Sequence, residues 1–482
     1  MDTSKVDIRK KYGLPTAICM VVGIVIGSGI FFKTQDVLKA TAGDAFMGIL
    51  AWIIGGLVMT VISVTFGIMA TKYEKCGGVV DYAEAMCGGK YAYYVGWFMA
   101  IIYYPAMTSV LAWVSARYTL VAVLGNDSMI ASAECMALSA FYLIAIYFLN
   151  FIAPKLSGKF QVSTTVIKLV PICFIAVVGT VIGLVNGNLV ESFGFVKNFE
   201  GIPYQGTAPA VAVGSGSLFA AVCSTVFAYE GWVIATSINS EINDSKKNLP
   251  LALGIGAAII VGAYVLYYVG VLALADMSKL GINGTSEAFN FFGPAFAAVI
   301  NVLIVISCLG TLNGLMLGGT RGLYAIAVRN GGFAPNMMKS VDENTAIPVN
   351  SASFALFMCV IWFVYFVAGQ FFGWFGMYAF DSSELPIITL YPFYLAILVQ
   401  FMRKEKDLSP VKRFVLPSLS ILGIVIVIIA SIARHKMGNV YYLAVFAAVM
   451  GIGALLQRGE DGRTLFASVS EKCASLFKKR ND

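Results

Sequence analysis

Two ionisable residues stand alone in long apolar stretches: Glu230 in Phe227-Ala228-Tyr229-Glu230-Gly231-Trp232, and Lys168 in Thr164-Thr165-Val166-Ile167-Lys168-Leu169-Val170-Pro171. A charge near a bilayer centre costs roughly 2.5–3.5 kcal/mol on insertion scales, so a carboxylate kept there faces the bundle interior or an aqueous cavity. Gly231 weakens helix continuity beside it. A helix broken at mid-membrane exposes N–H groups on one side of the break and C=O groups on the other, and both can hold a ligand. The competing reading is an unbroken helix in which Glu230 pairs with a neighbouring cation and Gly231 permits close packing. Lys168 also has two readings. Its amine either snorkels to the inner interface, or it is a buried ammonium that donates to carbonyls of an unwound first span, replaces a metal cation there and serves as a candidate proton carrier.

A second interrupted stretch is Gly23-Ile24-Val25-Ile26-Gly27-Ser28-Gly29-Ile30-Phe31-Phe32. Gly23 and Gly27 have the GxxxG spacing of close helix packing, but two interrupted segments in corresponding halves of a chain point to an inverted repeat with its site between them. Further candidates for the pocket lining are Ile24, Tyr104 beside the kinking Pro105, Asn313 in Gly310-Thr311-Leu312-Asn313-Gly314, and Glu384 in Asp381-Ser382-Ser383-Glu384. The last two carboxylates either sit in a wet outer vestibule or line the side-chain pocket.

The elements that must position these residues are membrane spans. Of 482 residues, 59% are hydrophobic and 12% charged, against about 25% charged in soluble domains. Apolar runs of about 20 residues occur at 14–32, 45–70, 92–124, 134–152, 162–185, 212–238, 251–275, 289–327, 348–369, 374–402, 413–433 and 439–456. The expectation is an all-α polytopic membrane protein with twelve transmembrane helices, arranged as a five-plus-five inverted repeat and two accessory helices. The expected segments are a cytoplasmic N-terminal tail (1–13), a first half (14–185), an extracellular loop (186–211), a second half (212–402), a basic inner loop with the last two spans (403–456) and a cytoplasmic C-terminal tail (457–482). The run 14–32 is read as a retained span, because it is too long for a signal-peptide core.

With the N-terminus inside, 24 of the 33 lysines and arginines fall in inner segments and 6, including Lys33, Lys39, Arg434 and Lys436, in outer ones. That asymmetry supports the span count and cytoplasmic termini. Cationic inner loops beside anionic lipid account for the net charge of +7 without a nucleic acid partner. The glycine-rich inner segment 73–89 is a short interfacial helix or a solvated loop, and Pro250 is placed at the start of the seventh span. The nine cysteines are scattered, without CxxC pairs, and read as packing residues. With a lone histidine, His435, in an outer loop, no metal site or cofactor is expected, and no nucleophile–base set marks an enzyme. A channel needs a continuous polar lining, whereas the polar positions here cluster near one depth.

Together, several stretches resemble the amino acid–polyamine–organocation superfamily, and most its L-amino acid transporter branch. They are Gly27-Ser28-Gly29-Ile30-Phe31, Tyr104-Pro105 with Ala116-Arg117-Tyr118, Ile167-Lys168-Leu169, Phe227 to Trp232, Pro250, Arg329-Asn330-Gly331 with Pro348-Val349, and the basic loop after the tenth run. They occur in order over about residues 12–415. The resemblance implies the leucine-transporter fold and transport by alternating access, as an exchanger or facilitator in the plasma membrane (the inner membrane of a bacterial cell). It implies that N–H groups around Gly27, Ser28 and Gly29 bind the substrate carboxylate, and that carbonyls of Phe227, Ala228 and Glu230, beside Gly231, receive the α-ammonium. Phe227 would close as a gate, and Lys168 would occupy the region where sodium-coupled relatives hold sodium. Neutral-substrate members often carry a small residue where this chain has Glu230. Its carboxylate favours a cationic side chain, or its bulk shortens the pocket for alanine, serine or cysteine; polyamines and a non-transporting receptor are further alternatives. Members with a single-span partner form a disulfide to it, but the outer segment 125–131 lacks a cysteine and Cys135 lies inside the fourth span. No disulfide-linked heavy chain is therefore expected.

Overall fold

The computed structural model describes residues 13–73, 78–125, 128–186, 216–232, 242–275, 285–342, 345 and 347–457. The termini, most of the 186–211 loop and residues 233–238 of the sixth run lie outside the described residues. Nine helices there are long and apolar enough to cross a membrane, and three shorter apolar helices stand in the first, fifth and sixth runs.

Both expected breaks are present. The first run forms α1 (Leu14–Val25) and α2 (Gly29–Ala40), separated by an extended Ile26 (φ −64°, ψ 108°). The sixth forms α11 (Leu218–Tyr229), which stops at an extended Glu230 (φ −71°, ψ 156°). Gly231 follows at φ 112°, a region that residues with a Cβ seldom enter. Glycine therefore does more here than weaken a helix: it sets the direction of the break.

Between them lie α3 (Ala45–Lys72), the short α4 (Val79–Cys87), then α5 (Gly89–Phe98), which passes through a π turn at Met99–Tyr103 into α6 (Tyr104–Leu124). Segment 73–89 is thus helical over most of its described length. Pro105 cannot donate to the carbonyl of Ile101, and the indole N–H of Trp362 fills that place at 2.8 Å. The fourth span is α7 (Ala133–Ile152). The fifth is divided into α8 (Pro154–Ile167), α9 (Leu169–Phe174), a π turn and α10 (Thr180–Val185). Pro171 withholds its N–H from Ile167, which explains the interruption at Lys168.

Beyond the second break come α12 (Ser245–Leu274), α13 (Ser286–Asn290), α14 (Pro294–Thr320), α15 (Gly322–Ala327), α16 (Pro335–Met338), α17 (Val349–Gln370), α18 (Leu385–Lys404), α19 (Leu416–His435) and α20 (Met437–Leu456). Two expectations need correction. Pro250 lies inside α12 rather than at its start. The tenth span begins at Leu385, because 374–384 forms turns and a single 3₁₀ turn.

Helix α3 packs against α12 and α11, and α6 against α14. Small residues make the first of these contacts close. A Cβ on Gly48 would overlap the hydroxyl of Tyr268, and one on Gly55 the hydroxyl of Thr225.

Candidate functional site

The two breaks meet. A Cβ on Gly29 would lie 2.5 Å from Ala228 Cα, so the start of α2 and the end of α11 touch through backbone. Gly29 is thus a packing glycine first. The hydroxyl of Tyr264, from α12, reaches the carbonyl of Ala228 at 3.1 Å and that of Val25 at 3.4 Å. One side chain therefore joins the C-terminal ends of both first half-helices. Sequence reading missed Tyr264, which is one of many apolar-run tyrosines and has no local signal.

Beside the breaks lies a cavity of about 650 Å³, lined by Gly27, Ser28, Gly29, Tyr103, Tyr104, Lys168, Phe227, Ala228, Glu230 and Gly231, among others. Nine of the twelve candidates are thus brought together. Helix α2 starts with its first N–H groups facing no carbonyl acceptor. Those of Ser28 and Gly29 make no backbone hydrogen bond among the described residues, as a helix N-terminus requires, and the buried Ser28 hydroxyl has no partner there either. Such a terminus attracts an anion. On the facing break, the Phe227 carbonyl accepts only a long 3.4 Å bond from the Glu230 N–H, whereas the Ala228 carbonyl already serves Tyr264. Glu230 Oε1 accepts from Tyr103 O–H at 2.7 Å. From sequence, Tyr103 beside the kinking Pro105 offers its hydroxyl to a core or a cavity; its partner Glu230, 127 positions away, has no local signal.

Lys168 is 3% exposed and lines the cavity, so it does not snorkel. Its expected bonds to carbonyls of the first span are absent among the described residues. A second cation, Arg321, lines the same space and was not foreseen.

Of the remaining three candidates, two are placed elsewhere. Asn313 is fully buried and accepts from Asn150 Nδ2 and Ser157 Oγ, both at 3.0 Å; it ties α14 to α7 and α8 and does not face the ligand space. Ile24 lies in α1, and its side chain is outside the described residues. Glu384 is neither in a wet vestibule nor in the pocket. It is wholly buried and paired with Lys33 Nζ at 2.7 Å and Arg434 Nε at 2.8 Å, with His435 Nε2 at 3.0 Å. Lys33 and Arg434, assigned from sequence to outer loops, are therefore helical residues. Each carries its charge inward because a buried carboxylate there must be paired.

Above Phe227, edge-on ring contacts run from Phe227 to Phe32 (5.8 Å) and from Phe32 to Trp113 (5.8 Å), with Lys33 Nζ 4.7 Å over the Phe32 ring. The cavity is shut at this end. It extends the other way, past Thr16, Cys19 and Met20 of α1 and Val79 and Val80 of α4.

Comparison with known proteins agrees with this geometry. Residues 12–455 match the amino acid permease family. A serine/threonine exchanger of Bacillus subtilis is 26% identical over 422 residues, covering 86% of this chain and 88% of its own. The human b(0,+)-type amino acid transporter 1 is 25% identical over 449 residues, covering 91% and 86%. The human cystine/glutamate transporter is 26% identical over 348 residues, covering 71% and 66%. The chain belongs to the amino acid permease family, and is a multi-pass membrane transporter rather than an enzyme.

Proposed function

We propose that this chain exchanges L-amino acids across the plasma membrane by alternating access, independently of sodium, and that it prefers those with a cationic side chain. The observation that carries the preference is Glu230: its carboxylate, anchored through Oε1 by Tyr103, lines the cavity. A charge-assisted hydrogen bond is the strong kind. The substrate carboxylate is assigned to the N–H groups of Ser28 and Gly29, and its α-ammonium to the carbonyls of Phe227 and Glu230. Phe227 is assigned the gate, and Lys168 the fixed charge that stands in for an ion. The termini are placed in the cytoplasm, so the cavity opens inward. No disulfide-linked partner is included, and the buried Cys135 is in keeping with that.

A second reading is a carrier of small neutral amino acids. It is favoured by the same Tyr103–Glu230 bond, which fixes a bulky pair at the pocket wall, and by the similarity to a serine/threonine exchanger. Counterflow in proteoliposomes against a panel of amino acids and amines decides between them. Arginine and lysine should trans-stimulate uptake most, with choline replacing sodium at no cost. Alanine and serine alone being accepted would overturn the preference, and a steep sodium requirement would overturn the role of Lys168. Strong competition by decarboxylated amines would overturn the assignment of Ser28 and Gly29.

A further inference from the structure

At the shut end of the bundle, three potential metal ligands from three separate elements converge. Cys223 Sγ of α11 lies 3.4 Å from Glu384 Oε2 at the start of α18 and 3.7 Å from His435 Nε2 at the end of α19. The nitrogen and the carboxylate oxygen are 3.0 Å apart, and all three ligand atoms lie within 4.8 Å of one another. We infer that Cys223, Glu384 and His435 form a site for a borderline-soft divalent ion such as Zn²⁺, separate from the substrate cavity.

The spacing comes within a few tenths of an ångström of ligands around one tetrahedral ion, the 3.0 Å nitrogen–oxygen pair having to open slightly. Bond lengths of about 2.3 Å to sulfur and about 2.0–2.2 Å to nitrogen and oxygen put neighbouring ligand atoms roughly 3.3–3.6 Å apart. Without an ion, the thiol S–H and a ring N–H can both be donated to Glu384 Oε2, which also takes the Arg434 Nε–H at 2.8 Å and keeps it when an ion binds. An ion at the centre takes the place of those two protons: the imidazole binds through Nε2 as the neutral Nδ1–H tautomer, its proton being exchanged through solvent to Nδ1, and the thiol proton is released to solvent. Glu384 Oε1 keeps its bond from Lys33, an outer contact of the kind that orients a ligating carboxylate. Charge also permits it. Lys33 and Arg434 oppose Glu384, Asp36 and Asp381 here, a net −1; a dication with one thiolate brings the group to zero. Three protein ligands leave the fourth position to water. The set of one sulfur, one nitrogen and one oxygen excludes magnesium and calcium, which take oxygen ligands.

The occupied site would fasten α11, whose far end forms the cavity wall, to α18 and α19. An ion there slows any exchange cycle in which α11 moves relative to them.

The test uses the full chain purified in detergent, with Zn²⁺ titrated against a chromogenic chelator. One saturable ion per chain is expected, with affinity at least about tenfold weaker in Cys223→Ser and in His435→Ala, and unchanged in Cys359→Ser, whose thiol is buried elsewhere. Co²⁺ should give a thiolate-to-metal charge-transfer absorption that Cys223→Ser abolishes; Mg²⁺ should not compete. If Cys223→Ser does not fold, the Co²⁺ absorption of the wild type and its loss in His435→Ala decide the matter. Absence of saturable binding, unaltered affinity in His435→Ala, or a charge-transfer band that survives without Cys223 overturns the site. In proteoliposomes Zn²⁺ should slow wild-type exchange relative to its metal-free rate, and slow His435→Ala much less relative to its own. Equal slowing of both would refute the locking role. The binding measurements stand whatever the substrate proves to be.

Discussion

Replacing Glu230 tests the substrate preference, and the structure determines how the replacement must be made. Glu230 Oε1 accepts the Tyr103 hydroxyl at 2.7 Å. In Glu230→Gln the amide oxygen can accept the same hydrogen bond in nearly the same volume, so this variant removes charge and little else. One hydrogen bond from a ligand to this charged group contributes about 1.5–3 kcal/mol. Affinity for arginine and lysine should therefore fall about 10- to 100-fold in Glu230→Gln, with alanine and serine within a few-fold of wild type. Glu230→Gly is a poorer probe of pocket size than volume suggests. It strands the buried Tyr103 hydroxyl, at a cost of about 1–3 kcal/mol, and loses activity for a reason unrelated to fit. Glu230→Gly combined with Tyr103→Phe removes donor and acceptor together. If Glu230 is only a steric floor, that double variant gains leucine uptake and Glu230→Gln changes nothing. The assay is counterflow of arginine, lysine, alanine and leucine in each variant. Undiminished arginine affinity in Glu230→Gln refutes the charge reading.

Other expectations follow from single contacts. Gly29→Ala places a methyl 2.5 Å from Ala228 Cα and should destabilise the chain by about 1–3 kcal/mol, seen as a lowered unfolding temperature as well as lost binding; Gly27→Ala, which meets only the Thr311 side chain at 2.9 Å, should be milder. Glu384→Gln leaves Arg434 without its paired carboxylate and Lys33 with Asp36 alone, at 3.2 Å, and should cost about 3–5 kcal/mol; an unfolding midpoint equal to wild type would contradict the buried pairing. Trp362→Phe orphans the Ile101 carbonyl at Pro105 and should cost about 1–3 kcal/mol, with retained substrate affinity in the fraction that folds. At the other end of the bundle, a hydrogen bond from Lys72 holds the Asp407 carboxyl below its ordinary value. A lowered folded value means that the stabilisation is present above the unfolded value and is lost as pH falls through the folded one. Acid-side thermal melts of Asp407→Asn should lack that component, and added salt should flatten it in the wild type.

What was legible in the sequence was whatever depends on a residue and its near neighbours. A glycine beside a lone carboxylate in an apolar run marks a break because both features are local, and Gly231 at φ 112° bears this out. The nine long helices and the three shorter ones follow from hydropathy alone, while the unwinding that Pro171 allows at Lys168 depends on a missing donor four residues from its acceptor. The failures share the opposite property. Asn313 was read as a polar side chain for the ligand, but its partners, Asn150 and Ser157, are more than 150 positions away and consume its hydrogen-bonding capacity.

The charged residues show the same limit most sharply. Counting Lys33 and Arg434 as outer-loop cations treats a charge as a marker of water, which holds only while the charge has no better partner. Burial of Glu384 creates that partner: an unpaired carboxylate inside the bundle would be far more costly than ordering two long cationic side chains around it. Once Lys33 and Arg434 turn inward, His435 and Cys223 are carried to within 4 Å of the same oxygen, and the solitary histidine, from which no histidine-rich metal site was expected, becomes one of the three groups proposed above to take an ion. The relevant spacing is then not along the chain, where the ligands are separated by 161 and 51 positions, but between the middle of α11 and the ends of α18 and α19. Composition can rule out a metal site built from one contiguous motif; it has no power over one assembled around a buried ion pair.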